Sequence, residues 1–474
     1  MNKDQLNKLL QLSFRHSPTP GQAVVLRHLT AFLLSSKSQP VYLLKGYAGT
    51  GKTSLVATLV NTLPQLKMRF VLLAPTGRAA KVLTSYTGFQ AHTIHRKIYF
   101  HTRTPDGRRK MVCAENKHKH TVFIVDEASM ITDSTIDTGR SLLDDLIQYV
   151  ATGEDCRLLL IGDHAQLPPV GLDISPALDL DNLKHTYAIT AASFELTEVM
   201  RQALDSGILS NATALRQKLA SNDCELPLLQ TDGFTDISQL EVDQVEDQFF
   251  NAFGSRDFTK SVVICRTNKR ANLYNQAIRQ RILGMDNDLS GGDLIMIVKN
   301  NYYWTEEHKG GGFIANGDIA EVTRINKVEE VFGFHFADAE IRLIEYPDQP
   351  VMSVKLLTDT LMLDGPALGD ADHIKLSAAI EEDYMQESSR AKRWAMIKED
   401  PYFNALQIKY AYALTCHKTQ GGQWPVVFLD SGIYQSSQLE VSYLRWLYTA
   451  LTRATEKVFL LNFLPEFFKS AVQD

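Results

Sequence analysis

Residues 41–63 read VYLLKGYAGTGKTSLVATLVNTL, and Pro64 follows. The first five residues have the apolar character of a buried strand. The last ten have the pattern of a helix, which Pro64 stops. Between them Gly46–Thr53, GYAGTGKT, match G-x-x-x-x-G-K-[ST] in full. Glycines in such a turn let backbone N–H groups point inward around phosphate oxygens, and the helix N-terminus adds a field that favours negative charge. Lys52 then reaches the β- and γ-phosphate oxygens, and Thr53 offers its hydroxyl to Mg²⁺. Gly46, Ala48, Gly49, Thr50, Gly51, Lys52, Thr53 and Ser54 are therefore the candidate nucleotide-binding residues, with ATP and Mg²⁺ as the expected cofactors.

Two more strands carry chemistry at their ends. Phe123–Met130 read FIVDEASM, an apolar run that finishes in two acids. Strand C-terminal ends are where ligands bind in open α/β sheets. Asp126 is expected to hold the Mg²⁺ hydration shell and Glu127 to polarise an attacking water. Leu160–Val170 read LIGDHAQLPPV, where Gln166 fits either a sensor of the γ-phosphate or a turn shaped by the two prolines.

Working outward, strand-then-helix alternation occurs twice. Val41–Leu44, Phe70–Ala74, Val122–Val125 and Leu158–Ile161 form one set of short apolar runs. Val262–Cys265, Ile408–Leu414, Val426–Leu429 and Val458–Leu461 form another. Continuous apolar runs of this length suit parallel strands covered on both faces. Within the second set, roughly Gly310 to Asp400 shows alternation at Ile319–Ile325, Ala339–Ile344 and Met352–Leu356, broken by Gly, Pro and Asp, and then a charged helical return at Ser377–Lys398. That pattern reads as a β-rich insertion.

With 474 residues the chain exceeds a single core and should divide into about two to four domains. The longest apolar runs are strand-sized, which excludes a membrane span. Leu6, Leu9, Leu10 and Phe14 fall at helical spacing, so the N-terminus reads as a short amphipathic helix and not a signal peptide. Five scattered cysteines without a C-x-x-C pair argue against disulfides and zinc, and for a reducing interior. The net charge of −6 excludes a coat of positive charge but leaves local patches open. One such patch is Lys97–His120, with seven Lys/Arg and three His against two acids; Leu219–Ser255 has no Lys or Arg and eight acids.

At this point the motifs resemble those of the superfamily 1B helicases, the RecD- and Dda-like (Pif-like) group. APTGRAAKVL (74–83) is similar to the family's motif Ia and AHTIHR (91–96) to motif Ib. GDHAQLPPV is similar to motif III and LTEVMRQ (196–202) to motif IV. TCHKTQGGQW (415–424) resembles motif V and LYTALTRATEK (447–457) motif VI. The order is the family's, across nearly the whole chain.

The resemblance implies an α/β fold of two RecA-like P-loop lobes, with a β-hairpin pin inserted in the first and an SH3-like β insertion in the second. The expected bounds are 1–190 for the first lobe, with the pin at 97–120; 191–309 and 401–474 for the second lobe; and 310–400 for the insertion. It implies that Lys52, Glu127, Gln166, Arg201 and Arg453 are catalytic, the two arginines reaching the γ-phosphate from the second lobe. Thr53 and Asp126 serve the metal, and Gln22 reads the adenine edge. Thr76, Thr93, His95, Asn268, His417, Lys418 and Thr419 line the DNA track. Tyr99 and Phe100 form the aromatic edge of the pin, with Pro105-Asp106-Gly107 as its turn.

The expected function is an ATP-dependent DNA helicase moving on single-stranded DNA from 5′ to 3′. Its substrates are single strands and single-strand/duplex junctions, in the cytoplasm at the nucleoid, with no membrane partner. Two other readings stay open at this stage: a P-loop kinase or nucleotide switch, and an ATP-gated DNA clamp that never unwinds. A lone motor and a subunit of a repair complex are equally compatible with the chain.

Overall fold

The computed structural model describes residues 2–37, 39–103, 109–135, 138–199, 205–221, 223, 225–304, 314–346, 348–433, 435 and 439–468. The chain opens with two helices, α1 (Lys3–Ser13) and α2 (Pro20–Leu33). Each starts on a capping box, Asn2 with Gln5 and Thr19 with Gln22, which satisfies two otherwise orphaned N–H groups reciprocally. Leu6 and Leu10 of α1 are buried in the core of the first lobe.

The first sheet collects β1 (Val41–Gly46), β2 (Arg69–Ala74), β3 (Ala91–Thr93), then, past the hairpin β4 (Tyr99–Arg103) and β5 (Arg109–Cys113), β6 (Thr121–Val125), β7 (Arg157–Gly162) and β8 (Ala191–Leu196). The order is β3-β2-β6-β7-β1-β8, all parallel. Helices α3 (Lys52–Thr62), α4 (Gly77–Thr87), α5 (Ile94–Ile98), α6 (Leu142–Ala151) and α7 (Leu180–Tyr187) connect the strands. Two separate apolar clusters lie on the sheet's two faces, one under α1–α4 and one under α5–α7, which is why its strands are apolar on both sides. The segment 191–196, expected in the second lobe, is instead the edge strand of the first: Val41 to Gly46 pair along it residue by residue.

The second lobe holds α8 (Gly207–Ser221), β9 (Ile237–Gln239), α9 (Val245–Phe253), β10 (Ser261–Cys265) and α10 (Asn268–Ala277) before the chain leaves it. The chain then builds a closed barrel from β11 (Leu294–Ile297), β12 (Ile319–Val331), β13 (Phe334–Leu343), β14 (Met352–Leu357) and, after the helices α11 (Asp370–Asp383) and α12 (Arg390–Lys398), β15 (Leu406–Tyr410). Phe332 and Gly333 join β12 to β13 with both φ angles positive, as a two-residue hairpin turn requires. The barrel therefore reaches past both expected bounds. LIMI of β11 and LQIKY of β15 are barrel staves, and the run Ile408–Leu414, expected as one strand of the lobe, is split between two structures. The helices α11 and α12 cover one end of the barrel through Leu376, Ile380 and Ile397 against Phe334, Phe336 and Leu357.

After β15, Ala411 and Tyr412 alone separate the barrel from β16 (Ala413–Thr415), back in the second sheet. The lobe closes with α13 (Cys416–Thr419), β17 (Trp424–Asp430), α14 (Val441–Leu451) and β18 (Ala454–Leu461) in the parallel order β16-β10-β17-β18-β9. One continuous apolar core runs through this sheet and the barrel. At the joint, Arg279 lies across Asp293 in a fully buried pair at 2.8 Å, and the Tyr412 hydroxyl donates to the same carboxylate at 3.0 Å. The hairpin β4–β5 is in place between α5 and β6, and its tip, with Pro105-Asp106-Gly107, lies outside the described residues, as does the Gly310-Gly311-Gly312 run.

Candidate active site

The loop between β1 and α3 has the backbone that its sequence demands. Gly49 and Gly51 sit at φ +75° and +85°, a region costly for any side chain with a Cβ. Lys52 Nζ donates to the carbonyls of Gly46 at 2.6 Å and Tyr47 at 2.9 Å, so the ammonium is folded into the loop's mouth. Gln22 is buried beside the loop: its Nε2 donates to Thr50 O at 3.1 Å while its Oε1 accepts from Thr19 N. The amide thus ties α2 to the loop, and both of its ends are engaged. Thr53 is exposed at the start of α3, with Ser54 behind it.

The acids come from the C-terminal end of β6. Asp126 accepts from the Tyr86 hydroxyl of α4 and from the backbone N–H of Glu127. Glu127 stands in the left-handed region at φ +53°, which turns its side chain into the cleft. Burial raises the Glu127 pKa, with Asp126 and Asp163 adding to the rise and Arg453 and Lys52 opposing it. A carboxylate raised in this way is suited to accept a proton near neutral pH.

The second lobe closes over this group. Arg453, at the end of α14, is 3% exposed, and its Nη1 lies 3.8 Å from Glu127 Oε1. Bonds to the carbonyls of Thr449 and Gly422 and to Thr452 Oγ1 hold the guanidinium in position independently of Glu127. Gln166 is buried, and its Oε1 has no partner among the described residues. Arg201 lies outside the described residues.

Two further residues of the motifs, Tyr448 and Asp163, bridge the lobes. Tyr448 of α14 is 1% exposed; its hydroxyl accepts from the Ala48 N–H of the phosphate loop at 2.9 Å and donates to Asp163 Oδ2 at 2.6 Å. Asp163 is itself held by the Ala165 N–H. Beside it, Leu167 N donates to Thr449 Oγ1, and Gln420 Nε2 donates to Leu167 O. The signal was there as an aromatic in LYTALTRATEK and an acid in GDHAQLPPV, but their meeting is a property of the closed lobes.

The expected strand-contacting residues divide into two groups. Thr76 caps α4 through the N–H of Ala79 and faces the second lobe at Gly421, where an added Cβ would lie 2.7 Å from Ala79 Cβ. A glycine is what lets the two lobes approach there. His95 is partly buried and its imidazole is pushed down to about 4 by burial, so it is neutral at physiological pH. Asn268 opens α10 and is half-buried; His417 is exposed. Lys418 is held down to about 8 by burial and by the neighbouring charge of Lys409, a residue of the barrel strand β15.

Three other expectations are corrected by packing. Thr93 is 2% exposed and its hydroxyl caps α5 through Arg96 N; Thr419 is fully buried and its hydroxyl donates to Cys416 O at 2.8 Å. Neither hydroxyl faces the surface. Tyr99 is 7% exposed, with its hydroxyl on Asp145 Oδ2 at 2.9 Å, so it belongs to the core under α6 and not to an exposed edge. Phe100, its neighbour on the other face of the strand, is 46% exposed.

Residues 18–235 match the family described as AAA domain, and residues 410–461 match the UvrD-like helicase C-terminal domain. The ATP-dependent RecD2 DNA helicase of Deinococcus radiodurans is 34% identical over 178 residues, which is 36% of this chain and 21% of the relative. The ATP-dependent DNA helicase dda of Enterobacteria phage T4 is 28% identical over 260 residues, covering 54% of this chain and 55% of the relative. The chain thus spans about a fifth and about half of these two relatives. A solved Pif1 helicase from Bacteroides, in complex with ADP-AlF3 and ssDNA, aligns over 96% of this chain and 94% of its own at 15% identity, with a TM-score of 0.44. Among the described residues no helix is long and apolar enough to cross a membrane.

Proposed function

We propose, from the premise that the chain belongs to the superfamily 1B helicases of the RecD- and Dda-like group, that it is an ATP-driven DNA helicase that moves 5′ to 3′ on one strand. The observation that carries the reading is the meeting of Arg453 with Glu127, because it brings a guanidinium of one lobe to the acid and phosphate loop of the other. Charge that builds on a transferred phosphoryl group needs rigid donors supplied as the lobes close. Lys52 and Arg453 supply them from opposite sides, and Glu127 takes the proton of the attacking water. Thr53 and Asp126 would hold Mg²⁺, which neutralises phosphate charge when bound.

Single-stranded DNA is read as lying along Thr76, His95, Asn268, His417 and Lys418, residues suited to phosphates, which carry affinity without sequence information. Phe100 is read as the part of the hairpin that meets the duplex end. A pair of duplexes differing only in which end carries the single-stranded tail tests the whole reading, with ATP, a trap for released strand and Lys52→Ala as the inactive control. The expected outcome is unwinding of the 5′-tailed duplex. Unwinding of the 3′-tailed duplex alone overturns the polarity, and hydrolysis that DNA does not stimulate overturns the motor.

A further inference from the structure

We infer that Arg216, on α8 of the second lobe, is a nucleotide-binding residue that senses the terminal phosphate of ATP. The inference rests on the nucleotide site proposed above and adds a group that lies in none of the quoted motifs. Helix α8 is laid against the phosphate loop: Leu209 and Val199 are the atoms that a Cβ on Gly49 would meet, at 3.5 and 3.4 Å. About two turns further along the same face, the Arg216 guanidinium lies over the ring of Tyr47, the second residue of the loop, at 4.7 Å from its centroid.

A guanidinium on a surface tyrosine would hydrogen-bond to water, but here Nη1 is buried and has no partner among the described residues. An unpaired buried donor of a cation is costly, and an oxygen of a bound ligand is one acceptor that relieves the cost. The neighbours narrow that ligand. Tyr47 is engaged by His164 Nε2 at 3.3 Å, and His164 lies 3.6 Å from Glu195, so the phenol is not aimed at Arg216. The charge of Arg216 acts on both the Tyr47 and Tyr448 hydroxyls, and Tyr448 sits on the Ala48 N–H. Arg216 is thus a cation of one lobe whose field falls on the phosphate loop of the other. An anionic oxygen bound in that loop is the acceptor that its free N–H group lacks, and Arg is the side chain able to offer a second donor while stacked.

The test compares nucleotides, because a merely structural arginine would affect them alike. Full-length wild type, R216Q and R216K are titrated with fluorescent ADP and with a fluorescent non-hydrolysable ATP analogue, with Mg²⁺ present, after thermal unfolding has been recorded. In R216Q the affinity for the ATP analogue is expected to fall about 10- to 100-fold, the range for a hydrogen bond to a charged group, with ADP changed less than about threefold. R216K should recover part of the loss. Equal losses for both nucleotides, or no loss, overturn the inference while leaving a hydrolysing wild type as the motor proposed above. Failure of both variants to show the wild-type unfolding transition makes Arg216 a structural group and overturns it too. A wild type that binds neither nucleotide overturns the proposed function, and the inference with it.

Discussion

Replacing Tyr448 by Phe removes one oxygen and leaves the ring that fills its buried site. Two interactions go with it: a charge-assisted bond to Asp163 at 2.6 Å and a bond from the phosphate-loop N–H of Ala48 at 2.9 Å. The first is worth about 1.5–3 kcal/mol and the second about 0.5–1.5 kcal/mol. Asp163 is 1% exposed, so water does not replace the lost donor while the lobes stay shut. The closed arrangement should weaken by about 2–4 kcal/mol. Since each 1.4 kcal/mol is tenfold, the loop should open about 30 to 1,000 times more often. Amide hydrogen exchange of peptides covering residues 46–52 in the nucleotide-free protein measures this directly, because Ala48 N–H is protected by Tyr448 itself. Peptides from the barrel hairpin β12–β13 serve as the internal control. If exchange at 46–52 is unchanged in a folded Tyr448→Phe variant, the hydroxyl does not hold the lobes together, and the reasoning fails.

Glu127→Gln is expected to bind ATP and DNA while turnover falls about 10²- to 10⁴-fold, since it keeps shape and loses the base. In the wild type the base must be ionised, so hydrolysis should decline as pH falls through its raised pKa, and loss of nucleotide binding in the variant would make Glu127 structural. Lys418, held down to about 8, gains charge when it meets a phosphate. Strand affinity at fixed ionic strength should therefore fall from about pH 7 to about pH 9, and Lys418→Arg should flatten the curve because Arg stays charged; a flat wild-type curve would remove Lys418 from the track. Phe100→Ala should slow strand separation on a tailed duplex more than it slows single-strand-stimulated hydrolysis. Equal losses would mean that Phe100 packs the first lobe and does nothing at the junction.

The parts of this fold that the sequence made legible are those where local pattern and long-range pairing agree. The four runs of the first sheet that are apolar on both faces, and the loop after β1, could be read directly because the same residues that demand a strand also demand its burial. Residues 191–196, AASFEL, escaped that reading: an edge strand is half-exposed and carries polar residues, so nothing local assigns it to β1. The run Ile408–Leu414, expected as one strand of the second lobe, misled for the opposite reason, and the expected bounds left LIMI in that lobe. Short apolar runs suit a barrel stave as well as a central parallel strand, and only pairing between Leu294–Ile297 and Leu406–Tyr410 decides. The site divides similarly. Lys52 is fixed by the loop between β1 and α3, and Asp126 and Glu127 by the end of β6, whereas the Tyr448–Asp163 bridge spans 285 residues and exists only across closed lobes. Thr93, Thr419 and Tyr99 show that a residue type fit for DNA can be consumed by a cap, a turn or a core.

The two-residue joint at Ala411–Tyr412, with Arg279, Asp293 and Tyr412 locked beneath it, fuses the barrel to the second lobe over a shared core. The barrel is thus built into the second lobe and not hung from it. The first lobe touches the barrel through Arg78 on Glu345 at 3.3 Å and through Arg96 stacked on the Tyr346 ring at 3.9 Å. Any separation of the two lobes must break both of these contacts. Arg78 and Arg96 therefore hold the first lobe to the barrel as well as to the sheet of the second lobe. The phosphate loop is thus one place where the lobes are fastened together, and the barrel is another.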